Sequence, residues 1–552
     1  MELQLFENSW LDVWEGREPH EPVGAVFTKP AIIGLILDLA GYGSAQRRLS
    51  GYRLLEPSCG DGAFIIEAIK RLLASEREHV GPIDWADEAL TGAITACDLN
   101  SGFISLAREA VIRLLGDEGC PRLRAEELAA RWIRHEDFLL TNRAERFDFI
   151  VGNPPYVRIE DLPTGVLRRY RELYQTCTDR ADLYVAFFEK GLRLLGPGGC
   201  LAYICANRFA KNLYGRELRQ LIAREYHVRH YLNLEHTQPF ESEVSAYPCI
   251  TVIDRERGKP TWAAALEDVE PATLDRLRPK GIAARRAKIW ASFPTWYQDG
   301  APWIATERKC YDRLLDLAAR FPLLEASASG TQVGIGVATG ADEIYIRRDL
   351  DPAIETACQL PLVMAGDISP AGLKWSGHHL INPFADADDG SLRDLADFPG
   401  LAAYFDRHRV ALMGRHVARK RSENWYRTID RVTLALTQTP KLVIPDIQSG
   451  GVVGYDPGRY YPHHNVYWIT SEGWNLHALQ ALLRSSIVLE QVRAHSVHMR
   501  GGSLRYQAQV LRKLRLPAFD SLPAVLIGQL AAVAGKDDQK TLDLLADEAF
   551  AI

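Results

Sequence analysis

Two hydrophobic rhythms alternate through roughly the first 255 residues. Short apolar runs halted by Gly, Pro or an acid occur around Leu54-Leu55, at Ala93–Cys97, at Phe149–Val151 and at Cys200–Cys205, with two more near 229–234 and 248–253. They read as buried strands. Between them, apolar residues recur at helical spacing in Ala31–Leu39, from Ala63 onward, in Asp182–Leu195 and around Leu213–Arg219. Thr28 is the expected N-cap of the first helix and Pro30 lies in its first turn, while Gly196-Pro197-Gly198-Gly199 ends the third. The alternation predicts an α/β fold: a doubly wound, mostly parallel, Rossmann-like sheet of about seven strands with helices on both faces. It fades after Gly258-Lys259-Pro260, which predicts a first domain over 1–260 and a mixed α+β domain over 261–552, with a helical tail beyond about 520. In the second domain Ile344-Tyr345-Ile346 reads as strand, and Asn382-Pro383-Phe384 as a turn.

Composition narrows the class. The chain of 552 residues is 47% hydrophobic and 25% charged, as globular proteins are. Its nine cysteines include no close pair, which disfavours a zinc site or disulfide framework and fits a reducing cytoplasm; no metal is expected. The segment Met1–Glu7 lacks the basic and long apolar regions of a secretory signal, and no apolar run reaches the roughly 18 residues of a membrane span, so no membrane partner is expected. A net charge of −6 offers no global attraction to nucleic acid, so a polyanionic partner needs local basic clusters.

The candidate chemistry lies at strand ends. Asp148–Val151 leads into Gly152-Asn153-Pro154-Pro155-Tyr156, where the prolines stop the strand and leave an amide, a proline carbonyl and an aromatic ring together. Alone, this is either a proline turn closing a strand or a loop that binds a planar amine. Upstream, Glu56-Pro57-Ser58-Cys59-Gly60-Asp61-Gly62 joins a strand to a helix; its glycines permit close backbone approach. Glu56 and Asp61 would repel a pyrophosphate but suit a ligand with an ammonium and a sulfonium, which points to S-adenosylmethionine. Asp98, after the second strand, suits ribose hydroxyls, because a carboxylate offers two acceptor oxygens. Asp137-Phe138 follows the next strand as an acceptor for an adenine amine beside a flanking ring, or as an ordinary loop acid.

Taken in order, these segments resemble the gamma-class DNA adenine-N6 methyltransferases that carry a carboxy-terminal target recognition domain. Phe27-Thr28-Lys29-Pro30 resembles the family's amino-terminal cofactor motif, though with Lys29 between Thr and Pro. The resemblance spans about residues 20–255 and implies S-adenosylmethionine contacts from Thr28, Glu56, Pro57, Ser58, Cys59, Gly60, Asp61, Asp98, Leu99, Asp137, Phe138, Asn153 and Phe187. It implies a catalytic loop of Asn153, Pro154, Pro155 and Tyr156, with Tyr214 as a second stacking aromatic and Phe209 competing for that role. The implied reaction is methylation of N6 of an adenine flipped out of double-stranded DNA, for restriction-modification or host protection. RNA adenine or protein glutamine are alternative substrates, and a non-catalytic recognition subunit is the alternative of another class.

Two basic stretches in the second domain fit a DNA partner. The first holds Arg407, Arg409, Arg415, Arg419, Lys420, Arg421, Arg427 and Arg431 with Trp425 and Tyr426; the second holds Arg493, Arg500, Arg505, Arg512, Lys513 and Arg515 with Gly501-Gly502. Basic residues interleaved with aromatics and glycine suit phosphate contact, and a solvated helix face is the plainer reading. A third stretch, Arg276–Lys288, reads the same plain way. No nuclease motif is evident, so a cognate restriction endonuclease would be encoded separately; a monomer is compatible with all of this.

Overall fold

The structure, a computed structural model, describes residues 26–551 apart from 44–46, 243, 245–246, 279–289, 295, 298, 305–307, 326–328, 370–371, 387–389, 421 and 497–501. The Met1–Glu7 segment, most of the basic stretch near 280, and Arg421, Arg500 and Gly501 therefore lie outside the described residues. Two compact units follow one another, Met1–Arg308 and Lys309–Ile552.

The first unit runs α1 (Pro30–Ala40), β1 (Leu54–Glu56), α2 (Ala63–His79), α3 (Glu88–Ala93), β2 (Ile94–Asp98), α4 (Ser101–Asp117), α5 (Arg122–Trp132), β3 (Ile133–His135) and β4 (Phe147–Gly152). It continues with α6 (Thr164–Leu173), α7 (Tyr184–Leu194), β5 (Leu195–Ala206), α8 (Arg216–Glu225), β6 (His227–Asn233), β7 (Pro248–Asp254), β8 (Thr261–Ala265), α9 (Pro271–Leu277) and β9 (Ala291–Phe293). The strands form one sheet in the order β3-β2-β1-β4-β5-β7-β6-β8-β9. Pairing is parallel from β3 to β5; β7 runs antiparallel to both β5 and β6. The doubly wound sheet is thus present, two strands wider than the sequence pattern predicts. Strands β8 and β9 lie past the Gly258-Lys259-Pro260 turn and pair onto β6 and each other, so the compact unit ends at Arg308 rather than at residue 260.

Helix α1 starts with Pro30 in its first turn, where its missing N–H costs nothing, and Lys29 occupies the N-cap. Thr28, expected there, is one residue too early; its side chain is used elsewhere. The apolar face of α1 is buried with Phe64, Ile65 and Leu72 of α2 and with Val151 and Ile204 of the sheet. Parallel pairing of β3, β2, β1 and β4 places the carboxyl ends of these strands along one edge, where Glu56, Asp98 and Gly152 terminate three of them. That edge is where open α/β sheets bind ligands.

The second unit contains two four-stranded sheets. One is antiparallel throughout, ordered Gln332–Ile335, Val466–Thr470, Lys441–Pro445, Gly454–Asp456. Its core is shared with helices Leu476–Arg484, Ala524–Val533 and Gln539–Ala551, so the helical tail does pack back on its own unit. The other sheet is ordered Ile346–Arg348, His378–Ile381, Gln359–Val363, Tyr461–Pro462. Ile344 and Tyr345 are not strand: they close a helical turn, Asp342–Tyr345, that buries the Tyr345 ring and lets its hydroxyl donate to the Tyr426 carbonyl at 2.7 Å. Among the described residues no helix is long and apolar enough to cross a membrane.

Candidate functional site

A cavity of about 250 Å³ opens at the shared strand edge of the first unit. Every residue assigned to cofactor contact lines it, together with Pro155 and Tyr156 of the loop after β4; Pro154 and Tyr214 do not.

The loop from β1 to α2 forms one wall. Gly60 and Gly62 adopt φ of +52° and +93°, and a Cβ on Gly62 would stand 3.1 Å from that of Ala107, so side chains are excluded there both by conformation and by α4. The loop is strapped to β2: the Cys59 N–H donates to the Cys97 carbonyl at 2.9 Å and the Gly60 N–H to Asp98 Oδ2 at 2.9 Å. Asp98 Oδ1 accepts from the Asn100 N–H at 2.9 Å. Each Asp98 oxygen keeps lone-pair capacity for a hydroxyl, and burial raises its carboxyl against the lowering effect of those N–H groups.

Glu56 is only 1% exposed, and its Oε2 has no hydrogen-bond partner. Burial, and then the carboxylates of Asp98 and Asp61, hold its carboxyl well above the usual range. An orphaned, anion-crowded carboxyl in a cavity fits a cationic ligand. On the opposite wall Asp137 is buried: Oδ1 accepts from the Leu139 and Leu140 N–H groups at 2.7 and 3.1 Å, and Oδ2 accepts from the Tyr170 hydroxyl at 2.6 Å. It is a fixed acceptor rather than a surface acid. Phe138 stacks obliquely on Phe187 at 5.2 Å, beneath Lys190, whose amine donates to the Phe138 and Thr141 carbonyls; burial pushes that amine down to about 8.

The loop after β4 completes the site. Ser58 donates to the Asn153 carbonyl at 3.2 Å, tying the two loops together. The Asn153 Nδ2 donates to the Val26 carbonyl at 2.8 Å and to the Thr28 hydroxyl at 3.2 Å, while Oδ1 is buried without a partner. The Tyr156 ring leans on Phe240 at 6.1 Å and Tyr184 at 6.3 Å, and its hydroxyl is also buried and unpartnered. Tyr214 is not part of the cavity lining, and its hydroxyl donates to Asp182. Phe209, the competing aromatic, is fully buried against Phe188, Tyr184 and Trp303 and is a core residue.

Several lining residues lie outside the sequence motifs. Phe103, edge-on to Phe27 at 6.1 Å, and Asn100 follow Asp98 directly and were findable from it. Tyr170 and Asp161-Leu162-Pro163 come from the segment between the loop after β4 and α7, where no motif marks them.

In the second unit, several of the basic residues read for phosphate contact are spent internally. Arg415 donates to the carbonyls of Leu412, Thr339, Trp425 and Arg427 and to the Tyr345 hydroxyl. Arg505 pairs with Asp446, Arg512 with Glu325, and Arg515 donates to the Phe321 carbonyl. Arg407, Arg409, Arg419 and Lys420 are exposed. Asp342, His463 and His464 come together there as well, with the Thr339 hydroxyl on Asp342 and His463 Nε2 at 3.2 Å from it.

The comparisons with known proteins agree with this geometry. The family described as Eco57I restriction-modification methylase matches residues 112–240, which include β4 and the Asn153–Tyr156 loop. Over nearly the whole length the chain is similar to the type II methyltransferase M.PaeR7I of Pseudomonas aeruginosa, at 42% identity covering 94% of this chain and 90% of that protein. The type II methyltransferase M.XhoI of Xanthomonas vasicola is 39% identical, covering 93% and 94%. Among solved structures, the type IIL restriction-modification enzyme MmeI, determined in complex with DNA, shares the fold with a TM-score of 0.59 at 12% identity, over 98% of this chain and 75% of its own. On this similarity, the chain belongs to the type II restriction-modification methyltransferases.

Proposed function

We propose that this chain methylates N6 of an adenine flipped out of duplex DNA, at a sequence selected by its second unit. The observation that carries the reading is the Asn153 carboxamide: Asn153 lines the cavity, both its N–H groups are occupied by protein acceptors, and its oxygen is buried and unpartnered. An acceptor held free in this way fits a substrate that brings a hydrogen-bond donor.

Bound in the cavity, S-adenosylmethionine supplies an electrophilic methyl group on a sulfonium. Glu56 suits its positive charge, Asp98 its ribose hydroxyls, and Asp137 with Phe138 and Phe187 its adenine. The chain's own part in the reaction is to bind and orient the target amine. Asn153 Oδ1 accepts one of its N–H groups, and the carbonyl of Pro154, next in the chain though outside the cavity lining, accepts the other, which draws the nitrogen lone pair out of ring conjugation. Tyr156, backed by Phe240 and Tyr184, stacks on the base and offsets the few kcal/mol that extrusion from the duplex costs. This is catalysis by positioning and by fixed dipoles, without a covalent nucleophile.

Duplex DNA is the substrate favoured by membership of a restriction-modification family and by the exposed Arg407, Arg409, Arg419 and Lys420 of the second unit. The test is product analysis: the purified chain is incubated with S-adenosylmethionine and unmodified bacterial genomic DNA, which is then digested to nucleosides. N6-methyl-2′-deoxyadenosine as the methylated nucleoside supports the reading; a methylated deoxycytidine, or no methylated deoxynucleoside from a chain that transfers methyl groups to RNA or protein in parallel reactions, overturns it.

A further inference from the structure

We propose that Thr28 is a positioning residue for methyl transfer, which acts by fixing the orientation of the Asn153 carboxamide; the inference rests on the role given to Asn153 above. An asparagine amide turned over by half a rotation keeps its shape, so packing alone does not select which end faces the substrate. Hydrogen-bond partners do. Here the selection is complete, since the two hydrogens of Nδ2 meet two acceptors, the Val26 carbonyl at 2.8 Å and the Thr28 hydroxyl at 3.2 Å. Turned over, Oδ1 would face the Val26 carbonyl, acceptor against acceptor, and the NH2 would face the substrate amine, donor against donor.

The two acceptors sit on a rigid base. The Lys29 N–H donates to the Pro239 carbonyl and the Glu241 N–H to the Phe27 carbonyl, both at 3.0 Å, and Thr28 bridges Phe240 in antiparallel register. Thr28 is 4% exposed. Phe240, its bridge partner, stands edge-on to Tyr156 at 6.1 Å. One short antiparallel pairing therefore orients the acceptor of the site and supports its stacking ring. This gives Thr28 a task different from the cofactor contact that the sequence motif implies: it acts through Asn153.

The experiment compares full-length Thr28→Val, Thr28→Ser and Asn153→Ala for methyl transfer to unmodified bacterial genomic DNA, measuring kcat and the KM for S-adenosylmethionine. Thr28→Val preserves shape and removes the acceptor; kcat is expected to fall about tenfold with KM changed by less than about twofold, and Thr28→Ser to stay within about twofold of the unaltered chain. Should Thr28→Val not fold, Thr28→Ala removes the same hydroxyl. The proposal is overturned if the hydroxyl-free variant keeps its kcat, if its loss appears as a raised KM for S-adenosylmethionine, or if Thr28→Ser is equally slow. Asn153→Ala separates the two levels: full activity there overturns the role of Asn153 itself, whereas an inactive Asn153→Ala beside a fully active Thr28→Val overturns the inference alone.

Discussion

The Tyr214 hydroxyl donates to Oδ2 of Asp182 at 2.7 Å and meets the Tyr184 hydroxyl at 2.9 Å. Asp182 bridges Arg158, and the Leu183 N–H donates to the Val157 carbonyl at 2.7 Å, so Tyr214 braces the chain that holds the residues following Tyr156. A residue that stacks on a base needs its ring, whereas one that braces Asp182 needs its hydroxyl. Tyr214→Phe is therefore expected to lower kcat/KM for DNA about as far as Tyr214→Ala, by roughly tenfold. Full activity in Tyr214→Phe with loss in Tyr214→Ala would return Tyr214 to a stacking role.

Glu56 is expected to make the site sensitive to pH. Its folded carboxyl holds a proton more tightly than the unfolded chain does, so it costs stability as pH rises above the unfolded carboxyl range, and cationic ligand binding favours the ionised form. Affinity for S-adenosylmethionine should accordingly rise with pH through the range in which Glu56 ionises. Glu56→Gln should bind more weakly with a flatter pH profile, while the ligand-free variant melts at a higher temperature than the unaltered chain near pH 8. Titration calorimetry and thermal melts across pH test both halves. A Gln variant with unchanged affinity would remove Glu56 from the binding site.

Tyr156 separates ring from hydroxyl in the opposite sense to Tyr214. Its hydroxyl is buried without a partner, so its removal deprives the protein of no hydrogen bond. Tyr156→Phe should retain activity within about threefold, and Tyr156→Ala should lose roughly tenfold or more in kcat/KM for DNA, the worth of one base stacked on an aromatic ring. Fluorescence of 2-aminopurine at the target position would report the same difference in base extrusion. Equal losses in the two variants would count against stacking.

Much of this site was readable because strand ends are punctuated. An apolar run stopped by Gly, Pro or an acid marks where a strand finishes, and parallel strands bring those finishes to one edge; Glu56, Asp98, Asp137 and Asn153 can be grouped on that ground from the sequence. What stayed hidden depends on pairing between distant segments. Thr28 looks like a helix cap because it lies two residues before Pro30, and only the partner 125 residues away shows its use. Tyr170 lies on an amphipathic helix whose pattern says that one face is buried, without saying that a hydroxyl there reaches Asp137. The unit boundary was misplaced because a Gly-Lys-Pro turn inside a sheet has the same composition as a linker. Arg415 shows the converse limit: charge runs in sequence cannot distinguish a guanidinium that meets phosphate from one that staples its own backbone.

That distinction is measurable in the second unit. Arg415→Ala removes donors to four backbone carbonyls and should lower the melting temperature clearly. Arg419→Ala and Lys420→Ala, at exposed positions, should leave melting unchanged but weaken DNA binding, and reduce the slope of log affinity against log salt by about 0.9 for each phosphate contact removed. Unchanged salt dependence in both would move the DNA contact elsewhere.

Asn153 is proposed to aim the amino group of an adenine in duplex DNA. Expressing the chain in a host free of DNA methylation, and mapping modified bases across the genome by single-molecule sequencing, tests it most directly. The expected result is N6-methyladenine confined to one short sequence motif and abolished by Asn153→Ala in a protein that still binds S-adenosylmethionine. The same motif-restricted signal persisting in Asn153→Ala, or a modified cytosine in place of adenine, would contradict it.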